Sequence, residues 1–201
     1  MAKSISADTR NAVLEAAWTR MSEPGGMGVG MADIAATAGV SRQTLFYAFG
    51  SRPGLLVAMV RHRDAQTDHV RRLTEIARSE VADASALRAF IDVWIDYLPI
   101  VYPVAYQLET DAVVDPDIAL AWNDRFFNMG LHRGLERILG RMAAAGDLPK
   151  GADTAWLADL FLSLIAPSAW HLLVVQCRWA PEKFRASRHQ LMQAVLRAPA
   201  G

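Results

Sequence analysis

The sequence predicts an all-α protein in which a small N-terminal domain of three helices precedes a larger helical body. Two features predict this fold class. Apolar residues recur at helical spacing in nearly every segment, and breaks rich in glycine or proline separate those segments. The chain has 201 residues, of which 52% are hydrophobic, so it can bury a sizeable core. We place the domain boundary after Arg52, which gives a small domain over residues 1–52 and a body over residues 53–201.

Charge and cysteine content limit the classes of protein that fit. Lys and Arg together number 21, as do Asp and Glu, so the formal net charge is zero. This excludes a strongly basic nucleic-acid-binding protein but allows a small nucleic-acid-reading module on a neutral body. The single cysteine, Cys177, cannot form an intrachain disulfide, and the N-terminus lacks the apolar stretch of a signal peptide. We therefore expect a cytoplasmic protein.

The first predicted helix runs from about Asp8 to Met21, with Asp8 as its N-cap. Arg10 lies in its first turn, where the side chain either reaches a phosphate or stays solvated. The glycine-rich segment SEPGGMGVG ends the helix. The apolar stripe of this first helix consists of Val13, Leu14, Ala17, Trp18 and Met21.

Two short helices joined by a tight turn are predicted between Met31 and Arg52. Gly39 sits where the first of them ends and a positive φ costs little, and Ser41 is placed to cap the second. The outer face of the second helix carries long donors and aromatic rings, which suit the major groove of DNA. The alternative is an ordinary helical hairpin with a solvated second helix. The residues of this outer face are Arg42, Gln43, Phe46 and Tyr47.

The segment DIAATAGVSRQTLFYAFGSRPGLL resembles the DNA-binding segment of the tetracycline-repressor (TetR) family of bacterial transcriptional regulators. The matching residues are Ile34, Ala35, Ala38, Gly39, Val40, Ser41, Thr44, Leu45, Phe49, Leu55 and Leu56. The resemblance implies an N-terminal three-helix helix-turn-helix DNA-binding domain followed by a helical ligand-binding and dimerisation domain. The sequence departs from the family pattern at Phe46, where a tyrosine is usual, and at Arg52, where a lysine is usual. The DNA-binding residues it implies are Ser41, Arg42, Gln43, Thr44, Phe46, Tyr47 and Arg52.

Within this set we predict two roles. Arg42 and Gln43 read base edges, because Arg and Gln side chains form paired hydrogen bonds with bases in the major groove. Thr44, Tyr47 and Arg52 mainly hold phosphates, which positions the helix without reading sequence.

The body is predicted to begin with a helix that starts after Ser51 and continues to about Ile76. The next helix begins at Asp83 or Ser85. Pro99 and Pro103 should kink or divide it, because neither proline has an N–H to donate. The pair Asp92 and Asp96 on this helix is interpreted as solvated. Two further helices are predicted, a long one from about Pro116 to Ala145 with Asp115 as its cap, and a last one from Pro181 to Arg197.

The most apolar run of the chain is AWLADLFLSLIAPSAWHLLVV. Its length approaches that of a membrane span, but its polar residues would each need a partner in lipid, so we expect no membrane contact. In the family the last two long helices pair with those of a second subunit in a four-helix bundle. The resemblance therefore implies a homodimer whose interface includes Trp156, Leu160, Leu164, Leu191 and Val195.

The resemblance also implies a pocket for a small molecule in the body. An apolar or aromatic ligand would suit the aromatic side chains there, although plain core packing is the alternative for each of them. The polar handles would come from tyrosine hydroxyls and an imidazole. The candidate residues are Trp94, Tyr97, Tyr102, Tyr106, Trp122, Phe126, Trp170 and His171.

These observations favour a transcriptional regulator. The resemblance implies a repressor that leaves a near-palindromic operator when a ligand binds. Two other classes stay open. One is an all-helical enzyme, or a small-molecule-binding protein without DNA binding, although the sequence shows no recognisable catalytic set or phosphate loop. The pair His132 and Glu136 could be half of a metal site but is more typical of a surface ion pair, so no metal or cofactor is predicted. A membrane or scaffold protein built on the apolar run is the third class.

Overall fold

The structure is a computed structural model that describes residues 5–23, 28–123 and 130–197. Within these ranges the regular structure is helical and contains no strand, which confirms the predicted all-α class. The predicted ligand residue Phe126 lies outside the described residues. The helices are α1 (Ala7–Ser22), α2 (Met31–Thr37), α3 (Arg42–Phe49), α4 (Arg52–Ala65), α5 (His69–Arg78), α6 (Ala84–Asp111), α7 (Pro116–Asn123), α8 (Leu131–Ala145), α9 (Thr154–Ile165), α10 (Pro167–Trp170) and α11 (Pro181–Arg197), with a π-helical turn over His171–Gln176 before α11.

The chain folds into two compact units. Unit 1 comprises Met1–Thr67 and Ile100–Trp122, and unit 2 comprises Asp68–Pro99 and Asn123–Gly201. Unit 1 therefore joins the N-terminal helices to a segment that lies far along the chain. The boundary that we placed after Arg52, between the DNA-binding domain and the body, stays a prediction.

Serine and aspartate side chains begin several helices, as the sequence predicts. Ser41 Oγ accepts the Thr44 N–H at 3.0 Å, and Ser51 Oγ accepts the Gly54 N–H at 3.2 Å. Asp115 caps α7 in the same way. The cap predicted for α1 is wrong, because Ser6 and not Asp8 accepts the Thr9 N–H, at 3.1 Å. Asp8 lies inside the first turn, where its charge still favours the positive end of the helix dipole.

Two predicted long helices are each divided in the structure. The helix expected to run to Ile76 ends at Ala65, and α5 begins at His69. Between them the Thr67 hydroxyl bonds to backbone carbonyls at the end of α4, which satisfies groups that a continuing helix would use. The helix expected over 116–145 is also divided, since Gly130 before α8 has the non-helical angles φ −109° and ψ −132°.

The opposite error occurs at the prolines of α6. This helix runs unbroken from Ala84 to Asp111, so a division at Pro99 and Pro103 is wrong, while the alternative of a kink there stays a prediction. Each proline removes one backbone hydrogen bond. The side chains of Leu98 and Val104 are fully buried, and this packing holds the helix together through the two gaps.

The core of unit 2 forms where α6, α8, α9 and α11 bury their large side chains. Phe90, Phe161 and Phe184 are fully buried, and the Trp94 indole Nε1 donates to the Ile165 carbonyl at 2.8 Å. That bond satisfies both the buried indole N–H and a carbonyl at the end of α9. Gly134 of α8 lies directly against the Phe90 ring, so α8 approaches α6 closely there.

Asp92 and Asp96 are paired carboxylates, although Asp96 stays exposed as the sequence predicts. Arg185 of α11 donates to Asp92 at 2.9 Å and also bonds to Asp96, and His189 Nε2 lies 2.8 Å from Asp92 Oδ1. These residues are remote in sequence, so local periodicity could not reveal the pairing. They join α6 to α11 within unit 2.

The apolar run predicted as one helix forms α9, α10 and the π-helical turn. In the described part of the chain, no single helix is long and apolar enough to cross a membrane. The pair Thr154–Ile165 and Pro167–Gln176 has that length and composition only when taken together, and it is bent by 42°.

Candidate nucleic-acid interface

The turn between α2 and α3 has the backbone geometry that the sequence predicts. Gly39 has φ +65°, and the Val40 N–H bonds to the Ala35 carbonyl at 3.0 Å, which closes the end of α2. Ser41 then caps α3. Below the turn, Ile34 and Leu45 are fully buried, so the two helices share one small core. This packing fixes the direction of α3.

The outer face of α3 is exposed and carries the predicted DNA-reading side chains. Phe46 is 38% exposed and Tyr47 is 52% exposed, unusual values for aromatic residues. Arg42 and Gln43 are exposed as well, and the Arg42 guanidinium lies 5.4 Å from the centre of the Phe46 ring. Thr44 is half-buried, and its hydroxyl lies 2.8 Å from Ser41 Oγ. The structure thus brings this set together on one helix face.

Arg10 has a structural contact rather than a solvated side chain. Its Nη1 donates to the Ala48 carbonyl at 3.0 Å, and its guanidinium lies 4.5 Å from the centre of the Phe49 ring. A cation at the carboxyl end of α3 is favoured by the helix dipole. Arg10 therefore attaches α1 to the carboxyl end of α3, the reading helix.

Arg52 lies at the start of α4 and forms an ion pair inside unit 1. Its Nη1 is 2.8 Å from Asp111 Oδ2, at the end of α6, and Gln107 donates to the other carboxylate oxygen at 2.6 Å. Both ion-pair side chains are about one-quarter exposed, at 27% and 26%. The segment directly after the reading helix is thereby attached to the end of α6, a contact that sequence reasoning did not find.

Comparison with known proteins identifies this arrangement. A family model described as bacterial regulatory proteins, tetR family, matches residues 13–59, which include α2, the turn and α3. Within this segment the chain has the sequence of a tetR-family DNA-binding domain. It is a DNA-binding transcriptional regulator, and the resemblance stated from the helix-turn-helix residues is confirmed.

Relatives of this regulator match most of its length. The transcriptional repressor LfrR of Mycolicibacterium smegmatis is 29% identical over 189 residues, which cover 94% of this chain and 86% of that protein. The fatty acid degradation regulator FadR from Bacillus halodurans matches in structure with a TM-score of 0.74 at 16% identity, over 96% of this chain and 98% of that chain. A structure of LfrR from Mycobacterium smegmatis in complex with proflavine matches with a TM-score of 0.58 at 21% identity, over 92% and 94%. The two structural likenesses show the shared fold.

One carboxylate, Glu15, joins α1 to the end of α4 through three side chains. Glu15 accepts hydrogen bonds from Gln66 at 2.7 Å and Arg63 at 3.1 Å, and it lies 2.8 Å from His62 Nε2. The hydrogen bond from Gln66, with smaller contributions from His62 and Arg63, lowers the pKa of Glu15. Arg63 also covers the Trp18 ring at 4.5 Å. This network holds the first helix of the head to α4.

The residues predicted to line a ligand site are divided between the two units. In unit 1, the Tyr102 and Tyr106 rings are 5.8 Å apart, and burial, with a smaller contribution from Tyr106, raises the pKa of Tyr102 to about 12. Trp122 of the same unit is buried. These tyrosines are half-buried, so unit 1 offers both apolar walls and hydroxyl groups.

In unit 2 the aromatic cluster includes a residue that sequence reasoning missed. The buried His69 ring stacks on Tyr97, with ring centres 3.5 Å apart, and Trp94 lies 6.0 Å from Tyr97. Trp170 packs against Phe184 at 5.1 Å, and His171 Nε2 lies 3.1 Å from Gln176 Nε2 across the π-helical turn. His69 gave no sequence signal, because it sits at the start of a helix that the sequence did not separate from α4.

The predicted dimer residues lie on a partly exposed apolar face of unit 2. Trp156 is 56% exposed and Leu191 is 41% exposed, while Leu160, Leu164 and Val195 are half-buried. Leu172 and Val175 of the π-helical turn add further exposed apolar surface.

Arg188 is buried next to this face, at 6% exposure. It donates to the Leu164 carbonyl at 2.9 Å, and it lies 4.7 Å from the centre of the Phe184 ring. Burial lowers the pKa of its guanidinium. Its hydrogen bond attaches α11 to the end of α9.

His132 pairs both across helices and within its own helix, where its contact with Glu136 is the ion pair that the sequence predicts. Its Nε2 is 2.8 Å from Asp159 Oδ1 on α9, while its Nδ1 is 3.9 Å from Glu136. In residues 5–23, 28–123 and 130–197, no group of three or more His, Cys, Asp and Glu side chains is arranged to hold a metal ion.

Proposed function

We propose that this regulator is a homodimeric repressor that binds a near-palindromic operator and leaves it when a small apolar or aromatic molecule binds the body. The outer face of α3 carries the proposal, because a capped and well-packed helix exposes Arg42, Gln43, Phe46 and Tyr47 together. A two-fold symmetric dimer would place two such helices about 34 Å apart, or a multiple of this, in successive major grooves.

One experiment tests the whole proposal. Purified full-length protein would select DNA from a random pool, and the selected DNA would then be challenged with a panel of aromatic and apolar metabolites. We expect enrichment of a site with two inverted half-sites and release by at least one compound. The relative LfrR crystallises with proflavine, which supports including planar aromatic molecules in the panel. A pool that shows no enrichment would contradict the proposal.

We expect Arg42→Ala and Gln43→Ala each to relax sequence preference at one operator position. Losing a good base contact costs roughly 1–3 kcal/mol against the preferred base. Tyr47→Phe should instead weaken binding to all sequences without changing base preference or the salt slope, because it removes an uncharged hydrogen bond to a phosphate. Binding to the operator and to single-base variants, measured at several salt concentrations, separates the two roles. An unchanged base preference in Arg42→Ala and Gln43→Ala would show that other residues read the sequence.

Arg52 has two candidate roles. The sequence predicts that it holds a phosphate, whereas in the structure it forms an ion pair with Asp111. If the ion pair is its main role, Arg52→Ala and Asp111→Asn should each weaken operator binding without changing the salt slope. The double variant should then be no weaker than either single variant, with a coupling of about 0.5–1 kcal/mol for this partly exposed pair. A slope that falls by about one unit in Arg52→Ala alone would instead assign Arg52 to a phosphate.

We expect Trp156→Glu to weaken the dimer by at least about 2 kcal/mol, the cost of losing a central tryptophan in an interface. Val113→Glu, at an 83% exposed position of unit 1, provides a matched control that should leave association unchanged. Sedimentation at a series of concentrations measures both. A wild-type protein that is monomeric at micromolar concentration and still binds DNA would rule out the homodimer.

A further inference from the structure

A groove of about 560 Å³ lies in unit 1 along α1 and α4. Its volume falls within the range of about 300–1,000 Å³ that is typical of small-molecule sites. The residues that line it come from α1, from α4 with its N-cap, and from the start of α7. The groove is built only from unit 1 and contains none of the aromatic residues predicted to bind the inducer.

The middle of the groove is apolar. Leu14 of α1 is buried, and Val57 and Ala58 of α4 are half-buried beside it. Gly54, Val57, Ala58 and Arg61 follow the spacing of one helix face, so a ligand lying on Val57 also reaches Arg61. The stretch from Gly54 to Arg61 is about 10 Å long at the rise of an α-helix.

Among the described residues that line the groove, one cation remains available. Arg10 already donates to the Ala48 carbonyl, and His62 is next to Glu15. Arg61 is exposed, and it has no hydrogen bond or ion pair with any residue in the described part of the chain. Asp117 contributes a carboxylate to the same lining. Arg61 thus combines a free guanidinium with an adjacent apolar surface, a combination that suits an anionic group attached to an apolar body.

We propose that this groove binds a small organic anion, whose apolar body lies on Leu14 and Val57 and whose anionic group pairs with Arg61. The site is additional to the inducer pocket of the proposed function and does not depend on it. Asp117 repels the anion, which favours ligands with one negative charge over those with two.

Calorimetric titration of the full-length protein with a matched pair of compounds tests this site. The probes are 4-butylbenzoate and 4-butylbenzyl alcohol, which differ in charge but share the apolar body. We expect the acid to bind at least tenfold more tightly than the alcohol to wild-type protein. Arg61→Ala should remove that preference and Arg61→Lys should partly restore it, because the charge returns without the guanidinium fork. Arg72→Ala, which removes an exposed arginine from α5, should leave it unchanged.

A second variant tests the apolar part of the groove. Val57→Trp fills the space, so it should abolish binding of both compounds, whereas Val70→Trp at an exposed position of α5 should not. Equal affinities of the two probes in wild type, or a preference that survives Arg61→Ala, would overturn the proposal. A salt slope of DNA binding that falls by about one unit in Arg61→Ala, with acid binding unchanged, would overturn it as well and assign Arg61 to the DNA backbone. Because Arg61 is exposed, its variants decide the question even if Val57→Trp fails to fold.

Discussion

Gly54→Ala should destabilise the DNA-binding head by about 3 kcal/mol and abolish operator binding at concentrations that saturate the wild type. Alanine in a helix is normally worth up to about 1 kcal/mol over glycine. Here, however, a Cβ at position 54 would lie 2.1 Å from the Phe49 carbonyl oxygen, which is backbone and cannot move aside alone. The end of the reading helix would have to shift, and such overpacking typically costs 1–3 kcal/mol or more.

Urea unfolding and operator titration of the same protein measure this effect. Gly28→Ala is the matched control, because a Cβ there meets nothing within 4 Å. It should change neither quantity measurably. A Gly54→Ala protein as stable as wild type would mean that the junction between α3 and α4 can open without affecting the head.

Gly134→Ala should lower the free energy of unfolding of unit 2 by about 2–3 kcal/mol. The new Cβ would lie 2.2 Å from Cζ of the Phe90 ring, which is fully buried. Because protein interiors are closely packed, moving this ring should be costly. Gly140→Ala on the same helix has open space, so it should raise stability by up to about 1 kcal/mol through helix propensity.

The opposite signs of the two substitutions make this comparison stringent. Denaturant unfolding of both variants, followed by the far-UV circular dichroism of the helices, provides the measurement. If both variants are stabilised, the close approach of α8 to α6 is not rigid. Phe90→Leu should recover part of the loss in the Gly134→Ala background, because the smaller side chain makes room for the methyl group.

The sequence predicted features that depend on neighbouring residues. Ser41, Ser51 and Asp115 cap their helices through hydrogen bonds to N–H groups two or three positions away, so their roles follow from local pattern. The positive φ of Gly39 follows from the same local chemistry. Because these local signals fix where α3 begins, the sequence also predicted which of its side chains are exposed for DNA reading.

Several of the errors have a different origin, since they depend on packing between distant parts of the chain. Burial of Leu98 and Val104 keeps α6 continuous through its prolines, and this burial is not visible in the local sequence. Arg52 and Asp111 are 59 positions apart, so no periodicity connects them. The stack of His69 on Tyr97 is equally remote.

The discontinuous make-up of unit 1 limits how the DNA-reading head can be exchanged between proteins. A fragment ending at Thr67 would lose Ile100–Trp122, and with it the carboxylate that pairs with Arg52. A chimera that transplants only the first 67 residues would therefore place Arg52 opposite a foreign α6. Swapping recognition specificity between relatives should work best when the donor also supplies the end of α6 and α7, so this regulator is less modular than its order of helices suggests.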